Sequence, residues 1–231
     1  MNSQLKLVAP NSQHKAYEFI KEGVITLRIK PFDRLSAVDL AAQLGVSRTP
    51  VREALGRLEQ DGLVAREAAG GYYVRPINLK EILDVYRIRE ALEVEAALEA
   101  LPNIDDKLLQ KLGALLDQAE ILRDPADYAE FLVVNRKFHV AIVEASDNAL
   151  FEQIMAPIAD RVRLVGAILI RLHTPRTQEI FEENLNILEG FRSRDPAVLE
   201  AAVRAHVRRA REHASTLLMR DPERLYFDTQ R

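Results

Sequence analysis

The sequence predicts a mainly α-helical protein in two parts: three short helices closed by a small β-hairpin over residues 1–76, then an antiparallel bundle of about six helices over residues 77–231. Three observations carry this expectation. Apolar residues recur at helical spacing along most of the chain. Serine, asparagine or aspartate stands before those stretches and glycine or proline after them, where helices start and stop. One pair of short runs, Leu63–Glu67 and Tyr72–Arg75, reads as strand.

Tyr17, Ile20, Val24 and Leu27 place a first helix over roughly Gln13–Leu27, and Pro31 blocks its continuation. Ser36 is expected to cap a second helix, with Asp39 as its capping-box partner. That helix runs through Leu40, Ala41 and Leu44 and ends at Gly45, the residue best able to adopt a left-handed conformation. A third starts at Ser47 and carries Pro50 in its first turn, where a missing N–H costs nothing. Val51, Ala54, Leu55 and Leu58 form its buried stripe, and Gly62 follows its end. Two helices joined by about three residues around a glycine make a helix-turn-helix. Gly70 and Gly71 then supply the positive φ values of a tight turn between the two strands, so the hairpin is a wing.

The third helix turns Thr49, Arg52 and Gly56 outward, with Ser47 and Arg48 at its start. In winged helix-turn-helix folds this end enters the DNA major groove. An arginine there can bond guanine O6 and N7 together, and a threonine can reach a base edge or a phosphate. A solvated helix face would carry similar residues, and spacing alone does not separate the two. The wing favours the DNA reading: Gly70 and Gly71 allow close approach of its tip, and Arg66 and Arg75 flank it for phosphate contact.

Over residues 77–220 six helices are expected. The first is capped by Asn78 and runs to about Leu101; the second covers roughly Asp105–Leu122. The third starts near Asp124-Pro125 and reaches Ser146, and the fourth spans about Ala149–Leu172 with Pro157 expected to kink it. The fifth spans Arg176–Arg194, and the sixth starts at Asp195-Pro196 and ends near Arg220, before a tail. Asn135 and His139 lie four apart and share a helix face; Asn184 falls on the fifth helix and His206 on the sixth. Polar side chains converging inside a bundle form ligand or metal sites; the alternative is that each is a surface residue or a satisfied core residue. His14, His173 and His213 are expected on the surface.

Composition limits the function classes. The net charge of −3 divides unevenly: residues 1–76 hold 11 Lys and Arg against 8 Asp and Glu, whereas residues 77–231 hold 21 against 27. A phosphate backbone would attract the first part and repel the second. With no cysteine there is neither a disulfide nor a thiolate metal site, in keeping with a reducing cytoplasm. No secretory leader is apparent, and no apolar run approaches the roughly 20 residues of a membrane span; the longest candidate, Val162–Leu172, contains Arg163 and Arg171. The chain is expected to be cytoplasmic, without membrane contact. It has no HExxH, phosphate-binding Gly loop or nucleophile elbow. The enzymatic alternative is a metal-dependent hydrolase with His139 and His206 as ligands and a nearby Glu as base.

The run IKPFDRLSAVDLAAQLGVSRTPVREALGRLEQDGLV, residues 29–64, strongly resembles the DNA-binding domain of the GntR family, most specifically in LGVSRTPVREAL. The resemblance implies that Arg48, Thr49 and Arg52 touch operator DNA and that Gly70 and Gly71 form the wing tip. Val38 departs from the polar residue many members carry there, which puts a contact from the second helix in doubt. Residues 77–210 resemble the all-helical effector-binding (FCD) domain of the FadR subfamily, through VYRIREALE, NRKFHVAIVEASDN and EENLNILEGFRSRDPAVLEAAVRAHV. In many members an Asp and three His hold a divalent metal at positions matching Asn135, His139, Asn184 and His206. Two of the four are neutral amides here, weaker partners for zinc or nickel, so metal binding is expected to be weak or absent. The two His and two Asn can instead bond an organic effector directly. The resemblance also places Arg89 in the pocket, where a guanidinium suits an effector carboxylate; a salt bridge with Glu93 or Glu90 is the other reading. The expected protein is thus a transcription regulator, a repressor by analogy, controlled by a small carboxylate-bearing metabolite in the helical domain and binding double-stranded operator DNA as a homodimer, with a metal-responsive regulator as the alternative.

Overall fold

The computed structural model describes residues 10–68, 70–171 and 176–220, which fall into two compact units, one reaching Ile77 and the other starting at Asn78. The first contains α1 (Pro10–Ile25), β1 (Arg34–Leu35), α2 (Ala37–Leu44), α3 (Arg48–Gln60), β2 (Val64–Arg66) and β3 (Tyr72–Val74). Ala16, Ile20 and Val24 of α1 meet Val51, Ala54, Leu55 and Leu58 of α3 in a core that Leu40, Val64 and Val74 close. Removing such side chains from water is the main drive for this unit, each contributing about 1.5–3 kcal/mol for a Val- or Leu-sized group.

The helix ends follow local chemistry, with one difference at α1. It stops at Ile25 rather than Leu27, because Leu27 turns left-handed (φ 58°) and the Ile29 N–H reaches back to the Gly23 carbonyl. The chain has already reversed before Pro31 can act. Ser36 caps α2 by accepting from the Asp39 N–H (3.3 Å), and Gly45 ends it at φ 66°. Ser47 precedes α3 without a side-chain cap bond. Gly70 and Gly71 turn the hairpin at φ 88° and 102°. The sheet holds one strand more than the hairpin: β3 pairs with β2 (Val64 opposite Val74) and also with β1 (Arg34 opposite Tyr73), in the order β1-β3-β2. Two residues are too few to show alternation, so sequence pattern could not reveal β1.

The second unit is formed by α4 (Leu79–Ala100), α5 (Asp106–Ile121), α6 (Tyr128–Ala145), α7 (Ala149–Arg171), α8 (Thr177–Ser193) and α9 (Pro196–Arg220). Asn78 and Glu81 form a complete capping box at α4. Asp105 caps α5, and the Asp195 carboxylate accepts from the Ala197 N–H beside Pro196. Asp124-Pro125 opens a 3-10 turn instead of a helix, so α6 begins only at Tyr128. α7 continues through Pro157. Phe131 and Phe138 of α6, Ile187 and Phe191 of α8, Leu112 of α5, and Leu199 and Val203 of α9 make the core. α4 packs on α6, α7 and α9, and α8 packs on α5 and α9. At Gly190 a Cβ would stand 2.9 Å from the Leu199 Cα, so only glycine admits this approach of α8 to α9. Among the described residues no helix is long and apolar enough to cross a membrane.

Candidate functional site

In the first unit, the stripe that buries Val51, Ala54, Leu55 and Leu58 forces the other side of α3 outward. Ser47, Arg48, Thr49 and Arg52 are all exposed there. Among the described residues the side chains of Arg48 and Arg52 make no hydrogen bond or ion pair. Neighbouring arginines are engaged. Arg57 lies over the Tyr17 ring (4.2 Å), and Arg34 pairs with Glu67 (2.9 Å). Arg66 donates to Glu59 (3.0 Å) and lies over Tyr72, but it is 65% exposed, so a pair of this kind is weak and exchangeable. Arg75 differs from the expected phosphate contact. It is half-buried and donates to the Gly62 carbonyl (3.2 Å), bracing the exit from α3. Val38 is exposed on α2 and offers no donor.

In the second unit, α4, α6, α8 and α9 bring Arg89, Asn135, His139, Asn184 and His206 together, joined by three residues not singled out as pocket members: Glu93, Glu183 and Arg176. Of the two readings of Arg89, the geometry has the intramolecular one. Its Nε donates to Glu93 and its Nη2 reaches both Glu93 (3.4 Å) and His206 Nε2 (3.1 Å). Glu90 faces elsewhere, bonded to Arg204 (3.0 Å) and Arg208 (2.9 Å). His139 Nδ1 stands 3.4 Å from Glu93, and its ring stacks on His206 at 4.8 Å. His206 Nδ1 lies 3.0 Å from Glu183, which also accepts from Arg176 (2.7 Å). Asn184 donates to Asn135 (2.6 Å). Glu183 was legible in principle: Ile180, Glu183, Ile187 and Phe191 lie on one face of α8, a carboxylate set in an apolar stripe. Of the remaining histidines, His14 is exposed and His213 half-buried, while His173 lies outside the described residues.

Burial by itself raises the Glu93 carboxyl, but the Arg89 guanidinium and then the His139 ring outweigh it and hold its pKa down at about 2. Burial pushes His139 down to about 3 and lowers His206 as well. For Glu183 burial again acts upward, and His206 and Arg176 bring the carboxyl below the usual range. Both rings are therefore neutral near pH 7, with Nδ1–H turned to a carboxylate and Nε2 left as an acceptor. The His206 Nε2 accepts from Arg89; the His139 Nε2 is buried without a partner, as is Asn184 Oδ1.

These shifts set an acid limit on the unit. The folded pKa values of His139 and Glu93 are both depressed, so the unfolded chain binds more protons and stability is lost as pH falls. The loss begins below 6.5 through His139, and Glu93 adds to it below 4.5. The urea midpoint is expected to drop steadily from pH 7 to pH 4, and His139→Phe is expected to flatten the upper part of that limb. A wild-type midpoint constant over this range would contradict the burial described.

The donor set does not fit a divalent metal. Asn135 and Asn184 bond each other, and His206 has both nitrogens engaged. Ligand atoms of Glu93, His139 and His206 do lie within 4.8 Å of one another. The Arg89 guanidinium, however, already bonds two of the three, placing a fixed positive charge where a cation would sit.

A winged helix-turn-helix whose α3 carries two guanidiniums unpaired among the described residues, accompanied by a helical bundle with a buried polar cluster, defines the class of transcription regulators. Comparison with known proteins agrees. Residues 12–74 match the model of bacterial regulatory proteins of the gntR family, and residues 84–209 match the FCD domain. The chain is 31% identical over 186 residues to the Nta operon transcriptional regulator of Aminobacter aminovorans, covering 80% of this chain and 86% of that one. It is 26% identical over 216 residues to the HTH-type transcriptional repressor RspR of Escherichia coli, covering 92% of each. Among solved structures, E. coli McbR/YncC aligns with a TM-score of 0.74 at 23% identity, over 90% of this chain and 98% of that one, a likeness of fold. The chain belongs to the GntR family and carries an FCD domain; it is a transcription regulator and not an enzyme.

Proposed function

We propose that this regulator, of the FadR subfamily, reads a palindromic operator in the cytoplasm as a homodimer and represses transcription from it. Residues 1–76 serve as the DNA-binding domain and residues 77–231 as the effector-binding and dimerising one. Ser47, Arg48, Thr49 and Arg52 contact the major groove, and Gly70, Gly71 and Arg66 bring the wing to the backbone. The observation that carries this reading is the pair of exposed guanidiniums at Arg48 and Arg52, which have no partner among the described residues. Guanidiniums held outward and unpaired on such a helix face are available to phosphate oxygens and base edges. The polar cluster at Arg89, Asn135, His139, Asn184 and His206 is the effector pocket. Occupancy there shifts the heads by binding one arrangement of the dimer more tightly than the other. One recognition helix spans only a few base pairs, so two are needed for a specific site.

A mobility-shift assay with DNA upstream of the regulator's own operon tests the reading, alongside light scattering for the dimer. A retarded band, and a mass of two chains, are expected. Absence of retardation at any concentration that saturates related operators would end it.

A further inference from the structure

Resting on that effector reading, the floor of the pocket also specifies what kind of group it receives. Several of its donors are engaged: Arg89 with Glu93 and His206, Arg176 and the His206 Nδ1–H with Glu183, and the Asn184 amide with Asn135, while His139 Nδ1 faces Glu93 at 3.4 Å. The buried donor left over, Arg136 Nε, belongs to the α6–α7 side, where its guanidinium turns to Asp160 (3.8 Å). Among the described residues two acceptors of this floor are buried without a partner, His139 Nε2 and Asn184 Oδ1, with Asn184 wholly inaccessible. They belong to one floor. Asn184 is tied to Asn135, which lies one helical turn before His139 on the same face of α6. Leaving such an acceptor unsatisfied costs about 1–3 kcal/mol, so the site favours whatever brings an N–H or O–H.

We propose that this floor recognises an uncharged hydrogen-bond donor of the effector, a hydroxyl or amide N–H, and rejects a carboxylate. A carboxylate would set its lone pairs against two acceptors. To reach Arg89 it would have to displace Glu93, leaving two buried anions for one guanidinium. An ammonium group or metal ion meets the opposite obstacle. With both rings neutral, Arg89 and Arg176 balance Glu93 and Glu183, and Arg89 stands 3.1 Å from His206, whose ring stacks on His139. A further cation would have no buried counter-charge of its own. A neutral O–H or N–H can bond these acceptors without disturbing either ion pair.

The test uses full-length protein with ¹⁵N-labelled histidine and follows the His139 Nε2 resonance. Four-carbon probes of matched size are titrated: erythritol and butyramide as neutral donors, succinate, and 1,4-diaminobutane; zinc and manganese chlorides are added alone. The neutral donors are expected to move the resonance saturably, with succinate and the diamine at least about tenfold weaker, a difference of about 1.4 kcal/mol, and the metals without effect. In His139→Phe, and separately in Asn184→Leu, the rise in melting temperature given by erythritol is expected to fall to the level given by succinate. The wild-type titration decides even if neither variant folds. Tighter binding of succinate, the diamine or a metal overturns the ligand class and leaves the pocket standing. No response to any probe removes the pocket itself, while operator retardation is read separately and is untouched by either result.

Discussion

Replacing Arg48 and Arg52 together by alanine is expected to weaken operator binding by about two to four orders of magnitude, since each bidentate arginine–guanine contact is worth about 1–3 kcal/mol. The urea midpoint should stay where it is. Both side chains are exposed and unpaired within the described residues, so their removal breaks no internal contact. Fluorescence anisotropy with a labelled operator, repeated over a range of salt, separates the possible roles. If the arginines read bases, the double variant loses its preference for the operator over random DNA. If they hold phosphates, binding weakens on all sequences and the salt dependence becomes shallower by about one counterion for each arginine. Arg34→Ala is the control, because Arg34 is an exposed arginine of the same unit already paired with Glu67. An unchanged affinity in the double variant would show that α3 is not the reading helix.

The second large effect is on stability. Glu93→Ala is expected to destabilise the helical unit by about 3–5 kcal/mol, the cost of leaving a buried charge without its partner. Arg89 is 6% exposed and has no other carboxylate in contact among the described residues, and His139 would lose the carboxylate 3.4 Å from its Nδ1 as well. Glu90→Ala should do far less. The arginines it releases, Arg204 and Arg208, are 35% and 51% exposed and can turn to water. The combined change Arg89→Met with Glu93→Leu should recover most of the stability, because a hydrophobic pair of similar volume avoids the desolvation of both ions. Urea unfolding followed by circular dichroism measures all three. Glu93→Ala as stable as the parent would mean that Arg89 is solvated in solution.

Local chemistry made much of this molecule readable from sequence. The starts of α2, α4, α5 and α9 were marked by Ser36, Asn78, Asp105 and Asp195, because a cap acts within three residues of itself. The outward face of α3 followed from the periodicity of its apolar side. Long-range features were less readable. Arg75 bonds a carbonyl 13 residues away, and β1 exists only because β3 lies beside it. The pocket lay between these cases. Asn135 and His139 share a face by spacing, but their partners depend on how α4, α8 and α9 pack. The Arg89–Glu93 pair, four apart on α4, could be read from one helix, but neither the bond of Arg89 to His206 nor the hold of Glu183 on His206 could be.

The contact at Gly190 acts as a fulcrum. α8 and α9 form a hairpin about Arg194 and Asp195, pressed together where Gly190 meets Leu199. Glu183 and His206 stand seven residues beyond that point on either arm, like the tips of tweezers joined at 3.0 Å. A methyl group inserted at the fulcrum would be magnified at the tips, so the gap across which Glu183 grips His206 is governed by a residue that touches neither.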